Sequence, residues 1–91
     1  MTGAPKLSAM AILEKLESSP RGIYSGALGF IAANRDMELA MVIRTAVFEG
    51  QTVSIGVGGG ITADSQPASE HEEIQLKALA LADVLGARVR W

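Results

Sequence analysis

The sequence has no cysteine and a single histidine, His71, among its 91 residues. The first absence excludes disulfides, zinc–thiolate sites and thiol catalysis, and the second excludes any multi-histidine metal centre. Aromatic residues are nearly as scarce, with Tyr24, Phe30, Phe48 and Trp91 the whole set, so aliphatic side chains and alanine must supply most of the burial. No apolar run approaches the roughly 20 residues of a membrane span. The start Met1-Thr2-Gly3-Ala4-Pro5-Lys6 has no basic stretch followed by an apolar one, so no membrane partner is expected and a cytoplasmic location follows by default. Eight basic residues against ten acidic ones, with no Lys/Arg run to track phosphates, disfavour nucleic acid as a partner.

What remains is an ordinary soluble composition for one small domain, 48% hydrophobic and 20% charged. At this length roughly 60 to 65% of the unfolded chain's surface can be buried, so the core is expected to be thin. A large apolar patch left over would mean that something else covers it.

Pro5 suits the start of a helix, and Ala9, Ile12, Leu13 and Leu16 then form one stripe, which predicts a helix over about 6 to 17. Ser18-Ser19-Pro20-Arg21-Gly22 stops it. From Ile23 to Ala32 large and small residues alternate, and Gly26 and Gly29 thin the run as strands do where something approaches closely. After a turn at Asn34-Arg35-Asp36, alternation from Leu39 to Phe48 predicts a second strand, apolar on both faces. Glu49-Gly50-Gln51 leads into a third strand at Val53, Ile55 and Val57. Ser69 and Glu72 have capping-box spacing for a last helix ending near Gly86. Its core stripe is Ile74, Ala78, Leu81 and Leu85, while Leu76 and Leu79 fall on another side and ask for a second neighbour. The expected fold class is α+β: helix, three-stranded antiparallel meander, helix, with the helices on one face of the sheet.

Three features carry chemistry. Arg44, expected inside an apolar strand, needs either an anion or a salt-bridge partner there, unless it reaches water at an edge. Gly58-Gly59-Gly60 lets backbone N–H groups approach a ligand oxygen, although a bulge or a flexible turn reads the same way. Glu70, Glu73 and Lys77 lie within an arc of about 60° on a helix, presenting two carboxylates and an ammonium. That face suits Mg²⁺, which takes one or two protein carboxylates and completes its shell with water and substrate oxygens. The plainer reading of the same spacing is a solvated face with Glu73 and Lys77 paired at i, i+4. His71 is expected at the surface.

Thr2-Gly3-Ala4-Pro5-Lys6, Ala9-Met10, Leu16-Glu17, Arg21-Gly22-Ile23-Tyr24-Ser25-Gly26, Ile43-Arg44-Thr45, Gly58-Gly59-Gly60-Ile61, Asp64-Ser65 and Glu70-x-x-Glu73-x-x-x-Lys77 follow one another in order. From Thr2 to about Leu85 this resembles the C-terminal end of the chorismate-binding enzymes, the family of aminodeoxychorismate, anthranilate, isochorismate and salicylate synthases. The resemblance implies that the chain is the C-terminal portion, residues 1–91, of a larger chorismate-binding α/β sandwich.

It also implies roles. Tyr24 and Arg44 match the residues that hold the enolpyruvyl carboxylate of chorismate, helped by amides of Gly58, Gly59 and Gly60. Glu70 and Glu73 match residues of the Mg²⁺ site, through which the ring carboxylate is held, and Lys77 lies beside them in the substrate pocket. The triple glycine with Ile61 and Ala63-Asp64-Ser65-Gln66 is closer to the aminodeoxychorismate branch than to anthranilate synthases, which more often have Gly-Ala-Gly. That branch replaces the ring 4-hydroxyl with ammonia from a glutamine amidotransferase subunit, in folate biosynthesis; the anthranilate branch aminates the neighbouring position and eliminates pyruvate. The family's other Mg²⁺ glutamates, its general acid/base histidine region and its Pro-Ile-x-Gly-Thr segment are not in these residues. The chain is therefore expected to be inert without the missing N-terminal part, and to act as an enzyme piece or, alternatively, as an interaction module that can dimerise through strand edges.

Overall fold

A computed structural model describes all 91 residues, Met1–Trp91. The elements are α1 (Lys6–Leu16), β1 (Ala27–Ile31), β2 (Met37–Met41), β3 (Ala46–Glu49), β4 (Thr52–Ile55) and α2 (Pro67–Val84). The α+β class read from the sequence is the observed one. The chain divides into two compact units, Met1–Ile43 and Arg44–Trp91.

In the first unit, Pro5 is the N-cap of α1, its fixed φ feeding the helix, and its carbonyl accepts from the Ala9 N–H at 2.9 Å. Of the apolar stripe, Ala9 and Leu13 are half-buried, while Ile12 and Leu16 stay exposed. The next strand starts at Ala27 rather than Ile23, because N–H groups of Tyr24 and Gly26 return to the carbonyls of Arg21 and Ile23 and close two turns first. β1 and β2 pair antiparallel with Gly29 opposite Leu39, and the Ser25 and Val42 N–H groups extend the ladder to Val42 and Gly26 oxygens. A Cβ on Gly29 would stand 1.8 Å from the Glu38 carbonyl oxygen, so the thinning seen in the sequence admits the neighbouring strand's backbone. In the connecting turn, Asn34 donates from Nδ2 to Asp36 Oδ2 at 2.6 Å and accepts from the Asp36 N–H at 3.1 Å.

In the second unit, β3 and β4 form an antiparallel hairpin running from Ala46 opposite Ile55 to Glu49 opposite Thr52. The single long strand expected over 39–48 is thus two strands in two sheets. Val42 completes the first ladder, the Ile43 N–H turns back to the Met41 carbonyl at 3.0 Å, and Arg44 adopts φ 50. Arg44 therefore stands at an exposed bend and not within a buried strand.

The last helix begins two residues before the expected cap. Pro67 occupies the first turn, Gln66 is the N-cap without a side-chain bond, and Ser69 lies inside the helix instead of capping it. At the other end the Gly86 and Ala87 N–H groups return to the Asp83 and Ala82 carbonyls, a Schellman closure that ends the helix where expected.

Burial is slight. Val42, Ala78 and Ala82 are the buried hydrophobic residues; Ile74 and Leu81 are half-buried, and Leu76 and Leu79 on the second face are exposed. The hairpins are the only extensive pairings between elements, so the expected packing of helices on a sheet face is not seen. Both faces of β1 and β2 remain in solvent, and Phe30, Phe48 and Trp91 are 60–72% exposed.

Candidate functional site

The second unit brings together most of the residues singled out by pattern. β4 delivers the chain into Gly58-Gly59-Gly60, and α2 returns beside it with Glu70, Glu73 and Lys77 on one face. Lys77 Nζ donates to the Gly58 carbonyl oxygen at 3.2 Å and lies 2.6 Å from Glu73 Oε1. The i, i+4 pairing allowed by the spacing is thus made, and the same ammonium also ties the helix to the glycine turn. A Cβ on Gly59 would meet Glu70 Oε2 at 3.2 Å, which places that carboxylate against bare backbone. Ser65 Oγ donates to Glu70 Oε1 at 2.8 Å.

A hollow of about 290 Å³ opens here, lined by Ile61, Ser65, Pro67, Glu70, His71 and Ile74. Glu70 is half-buried in it, whereas His71 is exposed, with Nε2 3.1 Å from the Gln75 side-chain amide. Arg44 opens the same unit as an exposed residue. Its guanidinium needs no buried anion in this chain.

Tyr24 belongs to the first unit, in the turn before β1, where it is half-buried with its ring centroid 6.0 Å from the Arg21 guanidinium carbon. Arg21 organises that turn. It donates from Nε to both Glu17 oxygens at 3.0 and 2.8 Å, from Nη2 to Glu17 Oε1 at 2.5 Å, and from Nη1 to Ser25 Oγ and the Met1 carbonyl. Hydrogen bonding from Arg21 holds the Glu17 carboxyl below its ordinary range, and the same bond raises Arg21. Arg21 and Ser65 lie within the ordered motifs, and composition and periodicity assign neither a role in the site. The available signals were Glu17 and Arg21 at i, i+4, and Thr62 and Ser65 at turn spacing.

No group of three or more His, Asp or Glu side chains gathers in the chain. Glu70 and Glu73 at i, i+3 still fit the small protein share of a Mg²⁺ shell, since the ion takes its remaining ligands from water and substrate. No helix is long and apolar enough to cross a membrane.

The family described as chorismate binding enzyme matches residues 1–83. A probable chloroplastic aminodeoxychorismate synthase of Oryza sativa subsp. japonica is 52% identical over 85 residues, 93% of this chain and 10% of that protein. Anthranilate synthase component 1 of Neisseria meningitidis serogroup B is 52% identical over 81 residues, 89% of this chain and 16% of that protein. Aminodeoxychorismate synthase of Streptomyces griseus is 47% identical over 85 residues, 93% and 12% respectively. No solved structure matches the chain. The chain belongs to the chorismate-binding enzyme family, and it spans about a tenth to a sixth of the length of these relatives.

Proposed function

We propose that this chain is the C-terminal part of aminodeoxychorismate synthase component I and contributes one wall of a chorismate site. The observation that carries the reading is the docking of Lys77 on Gly58 and of Glu70 on Gly59, which gathers the motif's cation, carboxylate and glycine turn in one place. Two relatives named as aminodeoxychorismate synthase, one of them as probable, at 52% and 47% identity, support the branch.

In this reading Arg44 binds a carboxylate of the dianionic substrate, a guanidinium being suited to a two-pronged grip on carboxylate oxygens, and Tyr24 is a further substrate-binding residue. Gly58, Gly59 and Gly60 offer amide donors that no Cβ obstructs. Glu70 and Glu73 are the residues that would hold Mg²⁺, which would supply charge neutralisation for the second, ring carboxylate. Lys77, fixed by Gly58, presents positive charge at the rim of the same surface. The reaction is amination at the ring 4-position with ammonia from a glutamine amidotransferase subunit, and it requires the part of the enzyme that carries the remaining acid–base groups. The Neisseria relative, 52% identical, favours a second reading in which the amine enters the neighbouring position and anthranilate forms.

Isothermal titration of the chain with chorismate, with and without Mg²⁺ and with Arg44→Ala as control, tests the site. Mg²⁺-dependent heat abolished by the substitution is expected. A folded chain that binds chorismate equally well without Mg²⁺ or without Arg44 rules out these roles.

A further inference from the structure

Thr62 to Ser65 lie between the glycine turn and α2. The Ser65 N–H closes a turn onto the Thr62 carbonyl at 3.2 Å, and the Thr62 N–H donates back to Ser65 Oγ at 3.0 Å. The Thr62 hydroxyl lies 3.4 Å from the same Oγ. This double closure fixes the Ser65 side chain before it meets anything else. A backbone N–H can only donate, so it takes an oxygen lone pair of Ser65 and leaves the hydroxyl proton free to point elsewhere. That proton goes to Glu70 Oε1, 2.8 Å away. Glu70 Oε2, at the other end of the carboxylate, is set against Gly59.

We infer that Ser65 is a positioning residue: the relay from the Thr62 N–H through the Ser65 hydroxyl, with Gly59 as a stop, locks one rotamer of Glu70 and so presets a ligand for the divalent cation. The value of this arrangement for metal binding rests on the proposed Mg²⁺ role of Glu70, whereas the locking itself does not. A free glutamate side chain samples several rotamers, and holding one of them removes an entropy cost that binding would otherwise carry. Partners that orient a metal ligand are commonly worth roughly 10- to 100-fold in metal affinity. Gly59 gives the second constraint, because a methyl group there would meet Oε2 at 3.2 Å and the carboxylate would have to give by a few tenths of an ångström.

The test uses NMR on the metal-free chain first and Mn²⁺ second. Three-bond couplings that report the Glu70 χ1 angle are expected to show one rotamer in the wild type, averaging in Ser65→Ala, and recovery in Ser65→Thr, which keeps the hydroxyl. Amide exchange at Thr62 should quicken in Ser65→Ala alone. Mn²⁺ alone, followed by electron paramagnetic resonance, should bind about tenfold more weakly to Ser65→Ala and Gly59→Ala, and be lost in Glu70→Gln. Averaged Glu70 couplings in the wild type, or couplings unchanged in Ser65→Ala, overturn the inference. Couplings that respond as expected while Glu70→Gln leaves Mn²⁺ affinity unchanged uphold Ser65 as the positioner of Glu70 and remove the metal from the proposed function.

Discussion

The Lys77 ammonium donates to the carbonyl oxygen of Gly58, nineteen positions earlier in the chain, and that bond fastens α2 to the turn leaving β4. The same nitrogen pairs with Glu73, but Glu73 is 57% exposed and one turn away on the same helix. Exposed i, i+4 pairs contribute at most about 0.5 kcal/mol. The tether to Gly58 is therefore the larger part of what Lys77 provides. Lys77→Met is expected to lower unfolding stability by about 1 kcal/mol, and Glu73→Gln by less than half of that, both read from urea midpoints. Equal losses would make the ion pair the dominant contact.

Gly29 makes a sharper demand. A methyl group there would lie 1.8 Å from the Glu38 carbonyl oxygen, 2.8 Å from its carbon and 2.9 Å from the Leu39 Cα, all of them backbone atoms that cannot swing aside. Gly29→Ala must therefore open the β1–β2 ladder or shift its register. The expected cost is about 1 to 3 kcal/mol, with loss of cross-strand contacts between Gly29 and Leu39 while those of β3 and β4 persist. An intact ladder in the variant would show that the strands can part locally without harm.

Gly29 also shows why some of this architecture was legible in the sequence. A glycine in a run of Leu28, Phe30 and Ile31 has a local cost that needs a local reason, and the reason proved to be local. The face of α2 was legible in part, since Ile74, Ala78 and Leu81 repeat at helical spacing and are covered, whereas Leu85 of the same stripe and Ile12 and Leu16 of the α1 stripe are exposed. The break at Ile43-Arg44 was not legible. Alternation continues through it without glycine or proline, and each half of the run is satisfied by a different neighbour, β1 before and β4 after. Periodicity reports which face a residue shares but not which strand lies beside it. The residues that meet between α2 and the glycine turn, Gly58, Gly59, Glu70 and Lys77, were legible as parts of a motif, while the role of Ser65 depends on a hydrogen-bond direction that spacing alone does not carry.

Glu17 and Arg21 give the first unit a pH dependence. Arg21 holds the Glu17 carboxyl below its ordinary range, mainly by hydrogen bonding. Once the chain unfolds, Glu17 regains a value of about 4.3. A carboxyl depressed in the folded state stabilises it above the unfolded value, and the contribution disappears as pH falls through the folded one. Stability should therefore decline as pH drops below about 4.3, and Arg21→Met should flatten that decline. A profile of unfolding midpoint against pH checks this. The pair is exposed, so raising the salt concentration should also shrink the difference between wild type and variant.

Arg44 sets stability against binding. Its φ of 50 lies in the left-handed region, where a side chain costs roughly 1 kcal/mol that glycine does not incur. The residue is exposed, so little packing is lost on truncation. Arg44→Gly should stabilise the chain by about 0.5 kcal/mol, the relief of strain being partly offset by the greater freedom of glycine in the unfolded state. Arg44→Ala keeps the Cβ and the strain, and should leave stability near that of the wild type. If Arg44 grips a carboxylate, both variants lose chorismate equally despite their different stabilities. Denaturant midpoints and chorismate titrations on the same two variants separate the effects. A glycine variant no more stable than the alanine variant would remove the strain from the account, and one that still bound chorismate as the wild type does would remove the grip.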